Sequence, residues 1–280
     1  MTHTLLALYA QTPIHAGTGQ NTVSSIDLPI QREGHTGFPC IYGSATKGAI
    51  RAKFEGDNNP SVKRLFGDAG ETGNAGCLAI TDTRLLLLPV RSLTSHFKWV
   101  TCPALLQRYK QDAERMNKTA PELPKVEEGK ALVHHAAKTD YLYLEEYRLT
   151  VQTTDLSDWI NTLTELMPSG MKEALENQLT LVDNDIFAFL AQNATPIHAH
   201  NAIDNATKTV KSGALWWEES LPADTLLYTC VHAFQGRQKD QPVDAQTNLA
   251  DFKAAFETNT YLQIGGNETV GMGFCLTKLV

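Results

Sequence analysis

Apolar positions along the chain fall into short blocks whose spacing predicts an alternation of strands and helices. Thr4 to Gln11 (TLLALYAQ) is a short apolar run ended by Pro13, the pattern of a strand. Cys77 to Val90 alternates polar and apolar and then becomes a run of leucines, which fits a strand entering a buried sheet. Trp99 and Val100 lie at a strand end, and Thr101 and Pro103 cap and start a helix running to about Met116. Tyr141 to Val151 reads as a strand, Leu156 to Leu179 as mainly helix, and Asn184 to Asn193 as a short apolar helix. Two strand-like runs, TPIHAHNAI and Ala214 to Ser220, flank the polar turn DNATKTVKSG and predict a hairpin. Leu226 to Phe234 is a further strand. Leu249, Phe252 and Phe256 recur at helical spacing, and the chain closes with a strand, the loop GGNETVGMG and a last strand, Phe274 to Val280.

The connection after the first strand spans roughly 30 residues, well above the usual loop length, and such loops tend to be functional. It carries Ile26, Leu28, Ile30, Phe38 and Ile41, enough apolar side chains to pin it to a surface. Ser44 is expected to cap the helix that follows, Ala45 to Phe54. Asn117 to Lys138, rich in Pro, Glu and Lys, is expected to be a mobile insertion. These elements add up to a single α+β domain, a sheet with helices on one face, without internal repeat.

Composition narrows the partners. The 280 residues include 24 Lys+Arg against 31 Asp+Glu, a formal charge of -7. That balance argues against non-specific coating of nucleic acid, so a polyanion would have to be held by local basic patches or neighbouring subunits. Mean hydropathy is -0.25. No apolar run is long enough to span a membrane, and the start of the chain lacks a signal-peptide pattern, so a cytoplasmic protein is expected. Five scattered cysteines without a CxxC pair exclude a disulfide framework and a zinc ribbon, and predict buried free thiols.

Few residues stand out for chemistry. Lys47 and Arg51 sit four apart on one helix face, a spacing at which like charges repel unless an anion lies over them. From Ser44 to Phe66 the local charge is +3. The alternative is an ordinary solvated helix face. Asp27, alone in the long loop, could hold a divalent cation together with water and a phosphate oxygen, or serve as a turn residue. His15 could act as a general acid or base, or be structural. No P-loop, Rossmann, GxSxG or HExxH motif occurs.

Taken together, YAQTPIHAGTGQ, IDLPIQREGHTGFPCIYGSATKGAIR, TKTVKSGALWWEESLP and QIGGNETVGMGF resemble the RAMP superfamily of CRISPR proteins. Within it they look most like the backbone subunits of type III-B (Cmr) effector complexes. The resemblance runs from the first strand to the last residue, and PVRSL and FKWVTCP extend it. It implies an RRM- or ferredoxin-like palm, a lid or finger inserted at about 104–145, and a β-hairpin thumb at about 184–228. It further implies copies stacked helically along a guide CRISPR RNA beside other subunits of the complex. Each thumb would be wedged into the guide–target duplex so that target RNA is cut in antiviral defence.

By the same resemblance Asp27 falls where the family has the aspartate needed for cutting, with Mg2+ or another divalent cation as its metal. His15, Glu218 and Glu219 fall at or near the active site. Ser44, Lys47 and Arg51 fall on the guide-holding helix, and Lys208 and Lys211 in the thumb turn. Gly265, Gly266 and Asn267 lie in the glycine loop that also contacts RNA. The chain departs from the family in the strand before the thumb turn, where His198, His200, Asn201 and Ala202 stand for expected basic residues, and at Trp217, where a tyrosine is expected. A non-catalytic RNA-binding scaffold and a stand-alone CRISPR RNA-processing ribonuclease are the competing readings. A small-molecule enzyme has no cofactor motif to support it.

Overall fold

Strand β1 (Thr2–Ala10) is buried along every residue from Thr4 onward, so the sheet it belongs to is covered on both faces. The computed structural model describes residues 1–20, 25–68, 75–135, 139–236 and 242–280. Part of the long loop (21–24) and the end of the expected mobile insertion (136–138) lie outside the described residues.

In chain order β1 is followed by β2 (Cys40–Ile41), α1 (Gly43–Gly56), α2 (Val62–Phe66), β3 (Leu78–Ile80), β4 (Thr83–Arg91) and β5 (Phe97–Thr101). Next come α3 (Pro103–Arg115), β6 (Lys130–Val133), β7 (Tyr141–Leu144), β8 (Tyr147–Thr153), α4 (Ser157–Leu166), α5 (Lys172–Gln178) and β9 (Leu179–Leu181). The chain continues through α6 (Asn184–Asn193), β10 (Ile197–Ile203), β11 (Val210–Glu219), β12 (Leu226–Ala233), α7 (Ala245–Thr258), β13 (Tyr261–Gln263) and β14 (Phe274–Leu279).

Among the described residues one large mixed sheet runs β13-β14-β1-β12-β4-β5-β9-β6-β8-β7, with β2 and β3 pairing at β4 and β12. Strands β10 and β11 form a separate two-stranded sheet. Around β1 the pairing is antiparallel on both sides, Leu5 against Cys230 of β12 and Leu8 against Thr277 of β14. The architecture is a mixed α+β fold.

Helices pack on both faces, not on one. Leu6 and Leu8 of β1 join Ile50 and Phe54 of α1 and Phe252 and Phe256 of α7 in one apolar cluster. Leu5, Ala7 and Tyr9 join Leu106 and Tyr109 of α3 and Trp159 and Leu163 of α4 in the other. The leucine run of β4 serves both. Its pairing with β12 slips between Leu226 and Leu227, opposite Leu87 and Leu85. This bulge lets Leu86 and Leu87 both face the second cluster, whereas Leu85 and Leu88 face the first. A sequence in which every residue of a strand is apolar signals two covered faces, and alternation alone could not supply that.

Other expectations are corrected locally. Helix α1 starts at Gly43 with Tyr42 as its N-cap residue, and Ser44 is an exposed first-turn residue whose side chain caps nothing. Asp82 replaces it, accepting the Gly43 N–H at 2.7 Å from the connection between β3 and β4. Cys102, not Thr101, is the N-cap residue of α3, and Asn184 Oδ1 accepts the Ala104 N–H there. Tyr141 to Val151 is a hairpin, not one strand, turned at Glu145 with φ 48. The segment expected to be mobile is anchored over its described part. Leu123 and Val126 pack on the core, Trp159 Nε1 donates to the Glu122 carbonyl, and β6 lies inside the sheet between β8 and β9.

The five cysteines are buried free thiols. Burial pushes Cys40 and Cys102 up to about 11 and Cys230 and Cys275 up to about 12, so at neutral pH these four are thiols rather than reactive thiolates.

Candidate functional site

Three segments far apart in sequence meet where β11 ends. Residues 26–30 run alongside it. Leu28 N–H donates to the Trp217 carbonyl at 3.0 Å, and Glu219 N–H donates back to the Leu28 carbonyl at 3.0 Å. This parallel bridge makes the IDLPI stretch a short third strand on the outer edge of the β10–β11 pair. The same loop is stitched to the start of the chain by Gln31 N–H to the Ala16 carbonyl, and Ile14 pairs with Leu221 beyond the hairpin. The apolar residues that marked the loop as ordered do pin it: Ile30, Phe38 and Ile41 are buried in the first core cluster.

Asp27 is carried by this third strand. Its Oδ2 accepts the backbone N–H of Trp217 at 2.8 Å, and Oδ1 takes no hydrogen bond among the described residues. His15 lies close by in a nearly buried position, with Nδ1 2.7 Å from the Glu219 carbonyl. A carbonyl only accepts, so Nδ1 carries the proton and Nε2 of the neutral ring carries the lone pair. A Cβ on Gly17 would sit 2.7 Å from that Nε2, so the glycine of the HAGTG stretch keeps the ring in place.

The two glutamates of WWEE have different surroundings. Glu218 accepts a hydrogen bond from the Asn267 side chain and lies 3.7 Å from His15 Nδ1. Glu219, only 2% exposed, accepts Ile30 N–H at 3.0 Å on Oε2, and the Thr195 hydroxyl at 2.7 Å and Arg32 on Oε1. Arg32 also donates to the carbonyls of Gly37 and Ala191 at 2.9 and 2.8 Å.

The glycine loop folds over His15 from the opposite side. Gly266 N–H donates to the His15 carbonyl at 2.8 Å. Gly265 has φ +89, and a Cβ there would meet that carbonyl oxygen at 2.5 Å. Asn267 takes the left-handed conformation, φ 62, which turns the loop toward Glu218.

Asp27, His15, Glu218, Glu219, Gly265, Gly266 and Asn267 are thus brought together. Ser44, Lys47 and Arg51 are set apart on α1, and Lys208 and Lys211 are exposed at the far end of the hairpin. Arg51 pairs with Glu55 at 2.8 Å, so the chain itself supplies one anion to that helix face, whereas Lys47 has no ion pair among the described residues. No group of three metal-ligating side chains occurs among the described residues.

Gln31 and Arg32 escaped the reading of the sequence. Gln31 accepts Tyr42 N–H at 2.6 Å and donates to the Gly17 carbonyl at 3.0 Å, tying the loop to both of its flanks. Both lie inside the IDLPIQRE motif, but nothing in their spacing separates a brace from a solvated polar pair.

The hairpin beyond this root is largely exposed. Ile197, Ile203, Val210, Leu215 and Trp217 show between 44% and 63% of their surface. His200 stacks on Trp216 with ring centroids 5.5 Å apart. Two isolated strands are marginal in water, and exposed apolar residues in such a group mark a surface for partners.

The model of the RAMP superfamily matches residues 7–276. The CRISPR system Cmr endoribonuclease Cmr4 of Pyrococcus furiosus is 33% identical over 287 residues, 98% of this chain and 95% of that protein. The CRISPR system CMR subunit Cmr4 of Saccharolobus solfataricus is 24% identical, over 94% and 92%. The crystal structure of oligomeric Cmr4 from Pyrococcus furiosus superposes with a TM-score of 0.76 at 29% identity, covering 100% of this chain and 98% of that one. A chain of the type III-B Cmr-beta complex bound to cognate target RNA has the same fold, with a TM-score of 0.77 at 20% identity over 100% and 97%. Among the described residues no helix is long and apolar enough to cross a membrane.

Proposed function

Because the chain belongs to the RAMP superfamily, we infer that it is a backbone subunit of a type III-B CRISPR effector complex. It binds guide RNA, stacks with copies of itself and the other subunits, and cuts paired target RNA endonucleolytically in antiviral defence, in the cytoplasm. One observation carries this reading. A carboxylate oxygen that takes no hydrogen bond among the described residues, on Asp27, stands at the root of a projecting hairpin whose own backbone fixes that carboxylate. Near full-length similarity to Cmr4 proteins, one of them named an endoribonuclease, supports the assignment.

The order β14-β1-β12-β4, with α1 and α7 in the two connections, is the βαββαβ arrangement of an RRM- or ferredoxin-like palm. The hairpin within 184–228 serves as the thumb, and the elements within 104–145 as the lid. Lys47, without an ion pair among the described residues, and Arg51 grip the guide backbone from α1 beside Ser44. Lys208 and Lys211 meet phosphates at the thumb tip. This distribution lets an acidic chain bind RNA through patches repeated from copy to copy.

In cutting, a hairpin that unstacks one target base turns its 2′-hydroxyl into line with the adjacent phosphate, and positioning supplies much of the rate. Asp27 presents Oδ1 to the reacting phosphodiester while Trp217 N–H holds Oδ2. His15 commits its Nδ1 proton to the Glu219 carbonyl, which fixes the ring, and Glu218 and Asn267 set its surroundings. A single open carboxylate oxygen suits magnesium, which keeps most of its waters and shares phosphate ligands, better than zinc, which needs several protein donors. When bound by Asp27, that ion supplies charge stabilisation at the phosphate.

The test is to reconstitute the guide complex with this chain and offer complementary and non-complementary RNA, with magnesium or with a chelator. Cutting of complementary RNA in magnesium alone is expected. Stable target binding with no cutting in magnesium would make the chain a scaffold instead.

A further inference from the structure

Asp27 has one side-chain tie among the described residues, the N–H of Trp217, so its position depends on where β11 sits. Among the described residues the hairpin touches the body near its root, and the outer part of β10 and β11 is largely exposed. At that root Glu219 gathers Ile30 N–H from the loop that carries Asp27 and the Thr195 hydroxyl from the entry to β10. Arg32 pairs with Glu219 and reaches the Ala191 carbonyl at the end of α6 and the Gly37 carbonyl across its own loop. Loop, helix and both strands are therefore joined through one ion pair between half-buried Arg32 and buried Glu219. With both oxygens taken and 2% of its surface exposed, Glu219 has neither access to RNA nor a free lone pair directed at it.

Resting on the reading above, we propose that Glu219 and Arg32 are positioning residues, a latch that seats the hairpin on the body and thereby sets the place at which Asp27 acts on the target. The pair touches no reacting atom. Its effect passes through the Leu28–Trp217–Glu219 backbone ladder to the Asp27 carboxylate. A guanidinium fork suits this task because one planar group meets Glu219, the carbonyls of Gly37 and Ala191 and, at 3.4 Å, the Thr195 hydroxyl in fixed directions, which an ammonium cannot do.

Two variants test it in the reconstituted complex. Glu219→Gln loses the charge facing Arg32 and leaves one amide oxygen, which accepts either from Ile30 N–H or from Thr195 and Arg32 but not from both. Arg32→Lys keeps the charge but loses the fork. Both are expected to bind target RNA within about twofold of the unaltered complex while single-turnover cutting falls about tenfold or more, with cut ends spread onto neighbouring phosphates. Asp27→Asn, run beside them, is expected to cut slowly with any residual ends at the original phosphate. In the free chain, hydrogen exchange at the amides of Leu28, Ile30 and Trp217 should quicken about tenfold in Glu219→Gln with the melting temperature of the palm retained. Unchanged rate and ends in both variants, with Asp27→Asn slowed, would overturn the latch and leave the nuclease reading intact. Unchanged cutting in Asp27→Asn would instead remove the reading on which the latch rests. A Glu219→Gln chain that melts as one unit at a much lower temperature, with Arg32→Lys cutting normally, would make the pair a stability element and also overturn the proposal.

Discussion

The Asp27 carboxylate accepts the backbone N–H of Trp217 at 2.8 Å, across 190 positions of sequence. Each residue thereby depends on the other's element: Asp27 sits where β11 places it, and β11 gains a third strand only because the loop reaches it. An asparagine can reproduce the acceptor half of this contact but not the negative charge of the open oxygen. Asp27→Asn is therefore expected to keep target affinity near that of the parent complex while single-turnover cutting falls at least ~100-fold, the scale for losing one electrostatic participant. Filter binding and a cleavage time course check the two halves separately. Loss of affinity in step with cutting would assign Asp27 a purely structural role.

Lys47 and Arg51 should not contribute equally to guide binding. Each phosphate contact on single-stranded RNA adds about 0.7 to the slope of log affinity against log salt. Lys47 has no ion pair among the described residues, whereas Arg51 already engages Glu55. Lys47→Ala is expected to lower the slope by nearly the full amount, and Arg51→Ala by less. Titrations at three or more salt concentrations measure this, and an unchanged slope for Lys47→Ala would return that face to solvent.

Gly265 has no room for a side chain: φ is +89 and a Cβ would lie 2.5 Å from the His15 carbonyl oxygen. Gly265→Ala is expected to cost about 1–3 kcal/mol through backbone strain and displacement of the carbonyl. Denaturant unfolding reads the cost, and cutting should fall with it because His15 moves. Gly271, which has positive φ but open space around it, is the control and should affect cutting little.

The pair His3 and His232, opposite one another on β1 and β12, gives the fold a defined response to acid. Burial, and then the nearby His3, holds the His232 imidazole below its ordinary value of 6.5, against an opposing pull from Asp112. The unfolded chain therefore takes up this proton first as pH falls, so stability rises with pH through the window below 6.5 and is lost toward acid. Melting temperature followed from neutral pH downward should show that slope, and His232→Gln should flatten it. An equal slope in both proteins would remove His232 as a contributor.

Much of the fold was legible because strongly apolar strands and spaced helical phenylalanines carry their own signal. The α7 face with Leu249, Phe252 and Phe256, the hairpin, and the ordered loop with Ile30 and Phe38 all emerged from that pattern. The number of covered faces did not, because the bulge at Leu86 changes which way two neighbouring leucines point, and a bulge leaves no mark in composition. Caps failed for a related reason: Asp82 and Asn184 serve helices to which they do not belong. At the candidate site the acid and imidazole groups could be nominated from motif resemblance. The distinct surroundings of Glu218 and Glu219 could not, since adjacent residues on a strand face opposite ways, and with both buried only tertiary contacts decide what each one meets.

The pairing of β1 also bears on how the chain acquires its structure. Both neighbours of β1, namely β12 and β14, come from the last fifth of the sequence. Contacts between segments so far apart carry a large loop-closure entropy and slow the search for the native pairing. During synthesis the first strand, apolar along most of its length, has no sheet partner until nearly the whole chain has left the ribosome. The middle portion from β5 to β9 can pair within itself meanwhile, so the sheet would be completed from its centre of sequence outward, with β1 inserted among the last. A nascent chain stalled before β12 should therefore expose β1 to proteases and to chaperones that favour apolar strands, and release of the final strand should end that exposure.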